Sequence, residues 1–201
     1  IQDYELLEAL LMYCIPRVDV KPIAKNMINN FRNIKHILSS DVESYKKIDG
    51  LGDSSYVFFK IINELFCRTF KEEIVNEVLL NSPEKVMTYC EARMSSLKYE
   101  QFRVLFLNRK NKLIKDEIIQ NGTIDRAAIF PKELIKKALE YNAGAMILVH
   151  NHPSGDPTPS KADVEITSAI KQAAKLMDIF VYDHIIIGQN KNYSLKSGGM
   201  M

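Results

Sequence analysis

The stretch VHNHPSGDPTPSKAD, residues 149–163, places two histidines directly after an apolar segment and leads to an aspartate through a proline-rich loop. The preceding residues 144–150, GAMILVH, contain five apolar residues in a row, which is typical of a strand buried on both faces. The following residues 160–177 have the apolar spacing of an amphipathic helix. A buried strand joined to a helix by this loop predicts an α/β arrangement in the second half of the chain.

The sequence around this stretch alternates between strand and helix patterns after about residue 80. Residues 101–108 (QFRVLFLN) and 112–119 (KLIKDEII) have strand composition and are separated by a polar turn. Pro131 suits the first turn of a helix over residues 131–143, and further short strands are expected within residues 179–196. This alternation predicts a sheet packed against helices.

The first part of the chain, in contrast, shows only helical periodicity. We therefore expect a helical domain at residues 1–80 and a sheet-containing domain at residues 81–201. Apolar residues at helical spacing predict helices over residues 4–14, 21–32 and about 54–79.

The composition is that of an ordinary globular protein. Hydrophobic residues make up 46% and charged residues 26% of the 201 residues, so the chain can fill a core, and its net charge of +2 gives no strong field for a polyanion. No apolar run approaches the ~20 residues of a membrane-spanning helix. Three widely separated cysteines, Cys14, Cys67 and Cys90, are expected to be reduced thiols of a cytoplasmic protein.

The two histidines of the quoted stretch have the spacing of a ligand pair. Residues two apart in a strand share a face, so His150 and His152 are expected to point the same way at the strand end. The loop that follows contains three prolines and can return Asp163 to the same point. Two imidazoles and one carboxylate suit Zn²⁺ and leave a fourth coordination position open, which is typical of a catalytic metal site.

The serine and aspartate of this stretch also have a purely structural interpretation. Ser160 followed three residues later by Asp163 fits the capping box that begins many helices. The sequence alone leaves this alternative open beside the ligand role.

The string HNHPSGDPTPSKAD, residues 150–163, resembles the JAMM zinc-metalloprotease motif of MPN domains, His-x-His-x7-Ser-x2-Asp. Together with DHIIIG at residues 183–188 and the segment DYELLEALLMYCIPRVDVKPIAKNMI at residues 3–28, it makes the chain similar to the bacterial RadC family, which carries a DNA-repair label. The resemblance implies an MPN/cytidine-deaminase-like mixed β-sheet flanked by helices, preceded by a small all-helical, helix-hairpin-helix-like domain.

The resemblance also implies roles for individual residues. His150, His152 and Asp163 match the ligands of one Zn²⁺ per chain, and Ser160 matches the motif serine that stabilises an oxyanion. JAMM sites use a glutamate from an earlier strand as the general base, and Glu100, at the start of the first strand, is the best match.

Three further residues bear on the assignment of the site and its substrate. Glu117, on the next strand, is the second choice for the general base. Asn151 stands where deubiquitinating members usually have Ser or Thr, which puts a preference for isopeptide substrates in doubt. His184 alternates with apolar residues and is expected to pack beside the site rather than to bind the metal.

The segment KKIDGLGDSSYV, residues 46–57, resembles a helix-hairpin-helix, in which backbone amides of a glycine turn contact a DNA phosphate. Asp49 and Asp53 would repel a phosphate, and a simple glycine turn between packed helices is the alternative. The candidate DNA contacts are Lys46, Lys47, Gly50 and Gly52.

These observations predict a zinc-dependent metallohydrolase of the bacterial cytoplasm that acts on a peptide or isopeptide bond and is linked to DNA repair or recombination. Two alternatives stay open. One is a DNA-binding accessory protein with a structural or inactive metal site, and the other is a metal-dependent nuclease. The protein or peptide substrate is not identified by the sequence.

Overall fold

The computed structural model describes residues 1–75, 77–122, 130–189 and 191–201. It contains helices and one mixed five-stranded sheet, with a helical region before the sheet, so the α/β prediction is confirmed. The chain divides into two compact units, Ile1–Arg68 and Thr69–Met201, whereas the boundary expected from the sequence lies further along, at residue 80.

The first unit is built from short helices around one apolar cluster. Tyr45 lies at its centre, where the phenol donates a hydrogen bond to the carbonyl oxygen of Ile37 at 2.6 Å and the ring contacts Phe31 and Phe59. The helices are α1 (Asp3–Cys14), α2 (Lys21–Phe31), α3 (Ile34–Ser39), α4 (Val42–Lys46) and α5 (Asp53–Val75), the last of which continues beyond Arg68.

Local sequence explains where these helices begin. Pro22 occupies the first turn of α2, where its missing N–H is not needed. The side chains of Asn33 and Asp41 cap α3 and α4 by accepting hydrogen bonds from the backbone N–H of the third residue of each helix, at 2.9 and 2.7 Å. α5 was expected to run to about residue 79, but it ends at Val75 and a short 3-10 helix, Leu79–Asn81, follows.

The second unit is organised around the sheet, whose strand order is β2-β1-β3-β4-β5. Strands β3 and β4 are parallel and are connected through a helix, while all other neighbouring strands are antiparallel. The elements are α6 (Pro83–Met94), β1 (Gln101–Leu107), β2 (Leu113–Asn121), α7 (Pro131–Glu140), β3 (Ala145–Asn151), α8 (Lys161–Lys175), β4 (Phe180–Ile187) and β5 (Asn192–Ser194).

Helices cover both faces of the central strands, which explains why every residue of β1 and β3 is buried. Leu105 and Ile147 belong to the apolar cluster on the α6 face, whereas Phe106 and Leu148 belong to the cluster on the face of α7 and α8. Because side chains alternate along a strand, His150 shares the α7 and α8 face with Leu148.

None of the described helices combines the length and the apolar character that crossing a bilayer requires. None of the three cysteines, which all lie within the described residues, forms a disulfide, and two of them, Cys67 and Cys90, are buried.

Candidate metal centre

The end of β3 positions the two histidines. His150 lies opposite Phe102 of β1 and opposite Ile186 of β4. One residue beyond the strand, the backbone N–H of His152 still donates to the carbonyl oxygen of Ile187, at 2.9 Å. The extended backbone therefore continues through His152, and the two imidazoles stay on one face, as the strand periodicity predicted.

The loop after His152 is fastened to the turn that follows β4. Gly155 donates from its N–H to the carbonyl oxygen of His152 at 2.9 Å and accepts from the N–H of Gln189 at 3.1 Å. Gly188 allows this close approach, because a Cβ at that position would lie only 2.5 Å from the carbonyl oxygen of Gly155 and 2.6 Å from that of Lys191. These hydrogen bonds fix the loop that connects β3 to the start of α8.

Ser160 and Asp163 form the capping box that the sequence left open as an alternative. Oδ2 of Asp163 accepts hydrogen bonds from the backbone N–H and the hydroxyl of Ser160, each at 2.7 Å, and the hydroxyl accepts from the N–H of Asp163 at 3.2 Å. This cap fixes the carboxylate so that its other oxygen, Oδ1, faces His150 at 3.2 Å. Capping the helix and presenting a ligand atom are therefore both compatible with one carboxylate.

Three possible ligand atoms converge at this point. Nε2 of His150 lies 2.9 Å from Nε2 of His152, which in turn lies 3.5 Å from Oδ2 of Asp163. The candidate ligand atoms of the three residues all lie within 4.8 Å of one another, and the group could hold a metal ion. His150 and Asp163 are buried, whereas the His152 side chain keeps 14% of its surface exposed, so the group opens to solvent on one side.

The proton on His152 is placed by a backbone carbonyl. Nδ1 of His152 lies 2.7 Å from the carbonyl oxygen of Asp156, which can only accept a hydrogen bond. Nδ1 therefore carries a proton, and in the neutral imidazole the lone pair is on Nε2, the nitrogen that faces His150 and Asp163.

A chain of hydrogen bonds places the proton on His150 in the same way. The hydroxyl of Thr167 donates to the backbone carbonyl oxygen of Asp163 at 2.5 Å, so it accepts from Nδ1 of His184, also at 2.5 Å. Nε2 of His184 is then an acceptor, and it receives the Nδ1 proton of His150 at 2.8 Å. The lone pair of His150 is consequently on Nε2. We call these five residues the histidine cluster: His150, His152, Asp163, Thr167 and His184.

The protonation of the cluster follows from its burial. Burial lowers the pKa of His150 to about 4 and that of His184 well below its usual range. Burial acts to raise the pKa of Asp163, but the hydrogen bond with His152, the charge of His150 and the hydrogen bonds from Ser160 lower it further than burial raises it. The hydrogen bond to Asp163 is the main reason why the pKa of His152 is raised, so a proton on His152 competes with a metal ion for the cluster.

These residues fit a divalent metal ion. While His152 is neutral, two imidazole lone pairs and an ionised carboxylate face one another inside a largely buried group, and such an arrangement is unfavourable unless a metal ion or a proton on His152 lies among them. Two nitrogens and one oxygen are a ligand set that zinc accepts, with room for a further ligand on the exposed side.

The structure places Glu100 next to this group. The register of β1 and β3 ends where Phe102 pairs with His150, and Glu100 lies two residues before Phe102, close enough to His152 for their charges to interact. Beyond the larger effect of Asp163, the charge of Glu100 adds to the rise in the pKa of His152. Glu100 is partly buried, as expected for a group at the rim of a site.

The second choice for the base, Glu117, is not brought to the cluster. It lies on β2, which β1 separates from β3. Its carboxylate instead contacts two side chains of the α7 region, accepting from the hydroxyl of Tyr141 at 2.5 Å and pairing with Lys137. The structure gives this residue a local structural contact.

The four candidate DNA contacts lie in the first unit, at the turn between α4 and α5. Gly50 has a φ of +89°, and a Cβ there would lie 2.7 Å from Cδ1 of Ile23, so a glycine suits the position. Lys46 pairs with Glu43 at 3.3 Å, Lys47 follows it, and the carbonyl oxygen of Gly52 accepts the first hydrogen bond of α5. DNA contact by these residues stays a prediction.

Two members of the site were not found from the sequence. Thr167 follows Asp163 by four residues, one helical turn, and this spacing could have indicated that both face the same way. Asn151 was noted only for departing from a family pattern, yet its side chain is buried and fully engaged in hydrogen bonds.

A comparison with protein-family models gives one match for this chain. Residues 80–200 match the RadC model, described as a RadC-like JAB domain. The match includes the whole sheet and all members of the histidine cluster.

Proposed function

Because the chain belongs to the RadC family, we propose that its JAB domain is a zinc-dependent hydrolase that cleaves peptide or isopeptide bonds. The observation that carries the proposal is the convergence of two imidazoles and one carboxylate, with a second carboxylate, Glu100, close enough to His152 to affect its pKa.

In this proposal His150, His152 and Asp163 hold one Zn²⁺ ion. Bound zinc supplies a Lewis acid and makes hydrolysis possible at neutral pH by lowering the pKa of water to about 7. The remaining steps belong to side chains of the protein.

Glu100 is assigned the proton transfers. Its carboxylate takes the proton from the attacking water and returns it to the leaving amine, which requires a carboxylate within reach of the exposed side of the site. The effect of Glu100 on the pKa of His152, the partly exposed member of the cluster, supports this assignment.

Ser160 is assigned the oxyanion. Ser160 is exposed, so a substrate carbonyl can approach its hydroxyl. That hydroxyl donates to Oδ2 of Asp163, so it must rotate away from Asp163 before it can donate to an oxyanion. The rotation costs less because the N–H of Ser160 also donates to Oδ2, which keeps one hydrogen bond.

The first test measures metal content. We expect about one zinc per chain in the purified wild type by elemental mass spectrometry. Asp163→Asn, which keeps the shape of the helix cap, should lose zinc, whereas the matched control Glu165→Gln, on an exposed residue of the same helix, should retain it. Equal zinc in both variants would leave Asp163 with the capping role alone.

The second test measures the reaction. The zinc-loaded protein should cleave members of a quenched-fluorescence peptide library or an isopeptide-linked peptide pair, and a chelator should stop the cleavage until zinc is restored. Glu100→Gln should lower the rate by about 10²–10⁴-fold and leave zinc content unchanged. Zinc binding without any cleavage would favour a structural or inactive site, and cleavage of duplex DNA in place of peptides would favour a nuclease.

A further inference from the structure

Asn151 stands between the two histidines in the sequence but points to the opposite face of β3, because side chains alternate along a strand. It is 1% exposed and pairs with no member of the histidine cluster among the contacts described for it. Its side chain reaches across to the segment that precedes β1, about fifty residues earlier in the chain.

The hydrogen bonds of Asn151 fall on both sides of one residue. Its carbonyl oxygen Oδ1 accepts from the backbone N–H of Gln101 at 2.9 Å. Its amide Nδ2 donates to the carbonyl oxygen of Tyr99 at 3.0 Å and lies 3.5 Å from that of Leu97. The residue between Tyr99 and Gln101 is Glu100.

We propose that Asn151 is a positioning residue that holds Glu100 toward the metal-binding residues by clamping the peptide groups on either side of it. The inference rests on the proposed function, in which Glu100 is the general base.

The clamp needs both halves of the amide. The contact with Gln101 requires an acceptor and the contact with Tyr99 requires a donor, and the planar side chain of asparagine offers both at a fixed separation. Serine is too short to span the two contacts, and aspartate would turn a carboxylate oxygen toward the carbonyl of Tyr99, where two acceptors repel.

The clamp also fixes the distance between the base and the ligands. The backbone of Asn151 joins His150 to His152, and its side chain holds the peptide groups that flank Glu100. On its other side, the carbonyl oxygen of Glu100 accepts from the N–H of Gly122 at 2.8 Å. With these three peptide contacts, the backbone of Glu100 has little freedom to move relative to the end of β3.

The test uses cobalt in place of zinc, since Co²⁺ gives a visible spectrum that responds to charge and solvent at the metal. The pH midpoint of that spectrum is measured in the full chain for the wild type, Glu100→Gln, Asn151→Ser and the double variant. Removing the charge of Glu100 should move the midpoint, and Asn151→Ser should move it in the same direction by at least half as much. The double variant should match Glu100→Gln alone, because the clamp acts only through that residue.

Asn121→Ser is the matched control. Asn121 accepts from the side-chain amide of Gln101 at 2.9 Å, so this variant removes an amide at the same end of β1 without touching the peptide groups beside Glu100. It should keep the wild-type midpoint, and all variants should bind one Co²⁺ per chain. If Asn151→Ser does not fold, Asn151→Asp, which keeps the acceptor and loses the donor, is measured instead and should shift the midpoint in the same way.

An unchanged midpoint in the Asn151 variant, or shifts that add in the double variant, would overturn the positioning role. The result for the clamp can be separated from the result for the proposed function, because the comparison of cobalt spectra among the wild type and the three variants needs no substrate. Coupled midpoints without peptide cleavage would support the clamp and refute the hydrolase, whereas peptide cleavage with additive shifts would do the reverse.

Discussion

Two clusters of buried polar side chains lie on opposite faces of the same sheet, and their charges are arranged differently. On the α6 face, Arg103 places Nη1 2.6 Å from both carboxylate oxygens of Asp116 and Nη2 3.1 Å from Oε1 of Gln101, while Tyr89 donates its hydroxyl to Asp116. Each acceptor named there faces a donor. On the other face, the histidine cluster brings acceptors together.

The difference separates a structural cluster from a binding site. In the α6-face cluster (Tyr89, Gln101, Arg103 and Asp116) a guanidinium offsets the one carboxylate. Burial, followed by the charge and hydrogen bond of Asp116, raises the pKa of Tyr89, so its phenol stays a donor. In the histidine cluster, Nδ1 of His150 donates to His184 and Nδ1 of His152 donates to the carbonyl oxygen of Asp156. In the neutral imidazoles, the lone pairs on the two Nε2 atoms therefore face one another. That cluster is complete only when a cation is added.

The largest expected effect comes from breaking the balanced cluster. Arg103→Met leaves the buried carboxylate of Asp116 without its counter-charge, and we expect the free energy of unfolding to fall by about 3–5 kcal/mol. Urea unfolding of the metal-free protein measures this loss. Adding Asp116→Leu should recover much of it, because no charge is then left buried. A loss below about 1 kcal/mol would show that the pair is not the balanced structural unit described here.

Zinc should have the next largest effect, and only through the unbalanced cluster. At a free zinc concentration of 100 times its Kd, binding to the folded state should stabilise the wild type by about 2.7 kcal/mol. His152→Gln should lose this gain because one of the three converging groups is replaced, whereas His36→Gln, in the first unit, should keep it. Thermal or urea unfolding with and without zinc measures the difference, and equal gains in both variants would argue against the site.

The hydrogen-bond chain behind His150 should have a smaller effect on the same property. Thr167→Val removes the acceptor for Nδ1 of His184, so His184 no longer has to accept the proton of His150. We expect zinc affinity to fall by about 10–100-fold, as is usual when a partner that orients a metal ligand is lost. Competition with a chromophoric chelator measures the affinity.

Thr167→Ser is the control for that experiment, because it keeps the hydroxyl and removes only a methyl group. Its zinc affinity should stay close to that of the wild type. If the valine and serine variants lost affinity equally, packing of the side chain rather than proton placement would be the cause.

The parts of the site that the sequence predicted depend on short-range geometry. His150 and His152 share a face because strands repeat every two residues, and Asp163 returns after a short, proline-rich loop at a helix start. The same reasoning located the strands and helices of the second unit. These features need no knowledge of which strands are neighbours.

The parts that were missed depend on long-range pairing. Thr167 reaches His184 only because α8 packs against β4, and Asn151 reaches Tyr99 only because β3 lies beside β1. Glu117 was a reasonable second choice while strand order was unknown, and it is excluded from the cluster because β1 lies between β2 and β3. Hydrophobic patterns define strands but do not state their order.

The smallest expected effect is that of Glu117, and it contrasts with Glu100. Burial acts to raise the pKa of Glu117, but the hydrogen bonds from Lys137 and Tyr141 lower it further, so the net shift is downward. A carboxyl whose pKa is lowered by folding adds stability above its unfolded pKa, and that stability is lost as the pH falls through the folded value. Because the pair with Lys137 is only partly buried and is screened by salt, Glu117→Gln should cost about 0.2–1 kcal/mol at pH 7.

The cost should shrink as the pH falls below the unfolded pKa of about 4.3 and vanish once the carboxyl of the folded wild type is protonated as well, which urea unfolding at pH values stepped downward from 7 measures. Zinc affinity and peptide cleavage should be unaffected, since the carboxylate lies on the far side of β1 from the metal-binding strand. A variant at Glu117 that abolished cleavage while Glu100→Gln retained it would exchange the roles of the two glutamates. Cleavage by the Glu100→Gln and Glu117→Gln variants, compared side by side, therefore tests which of the two glutamates moves the proton.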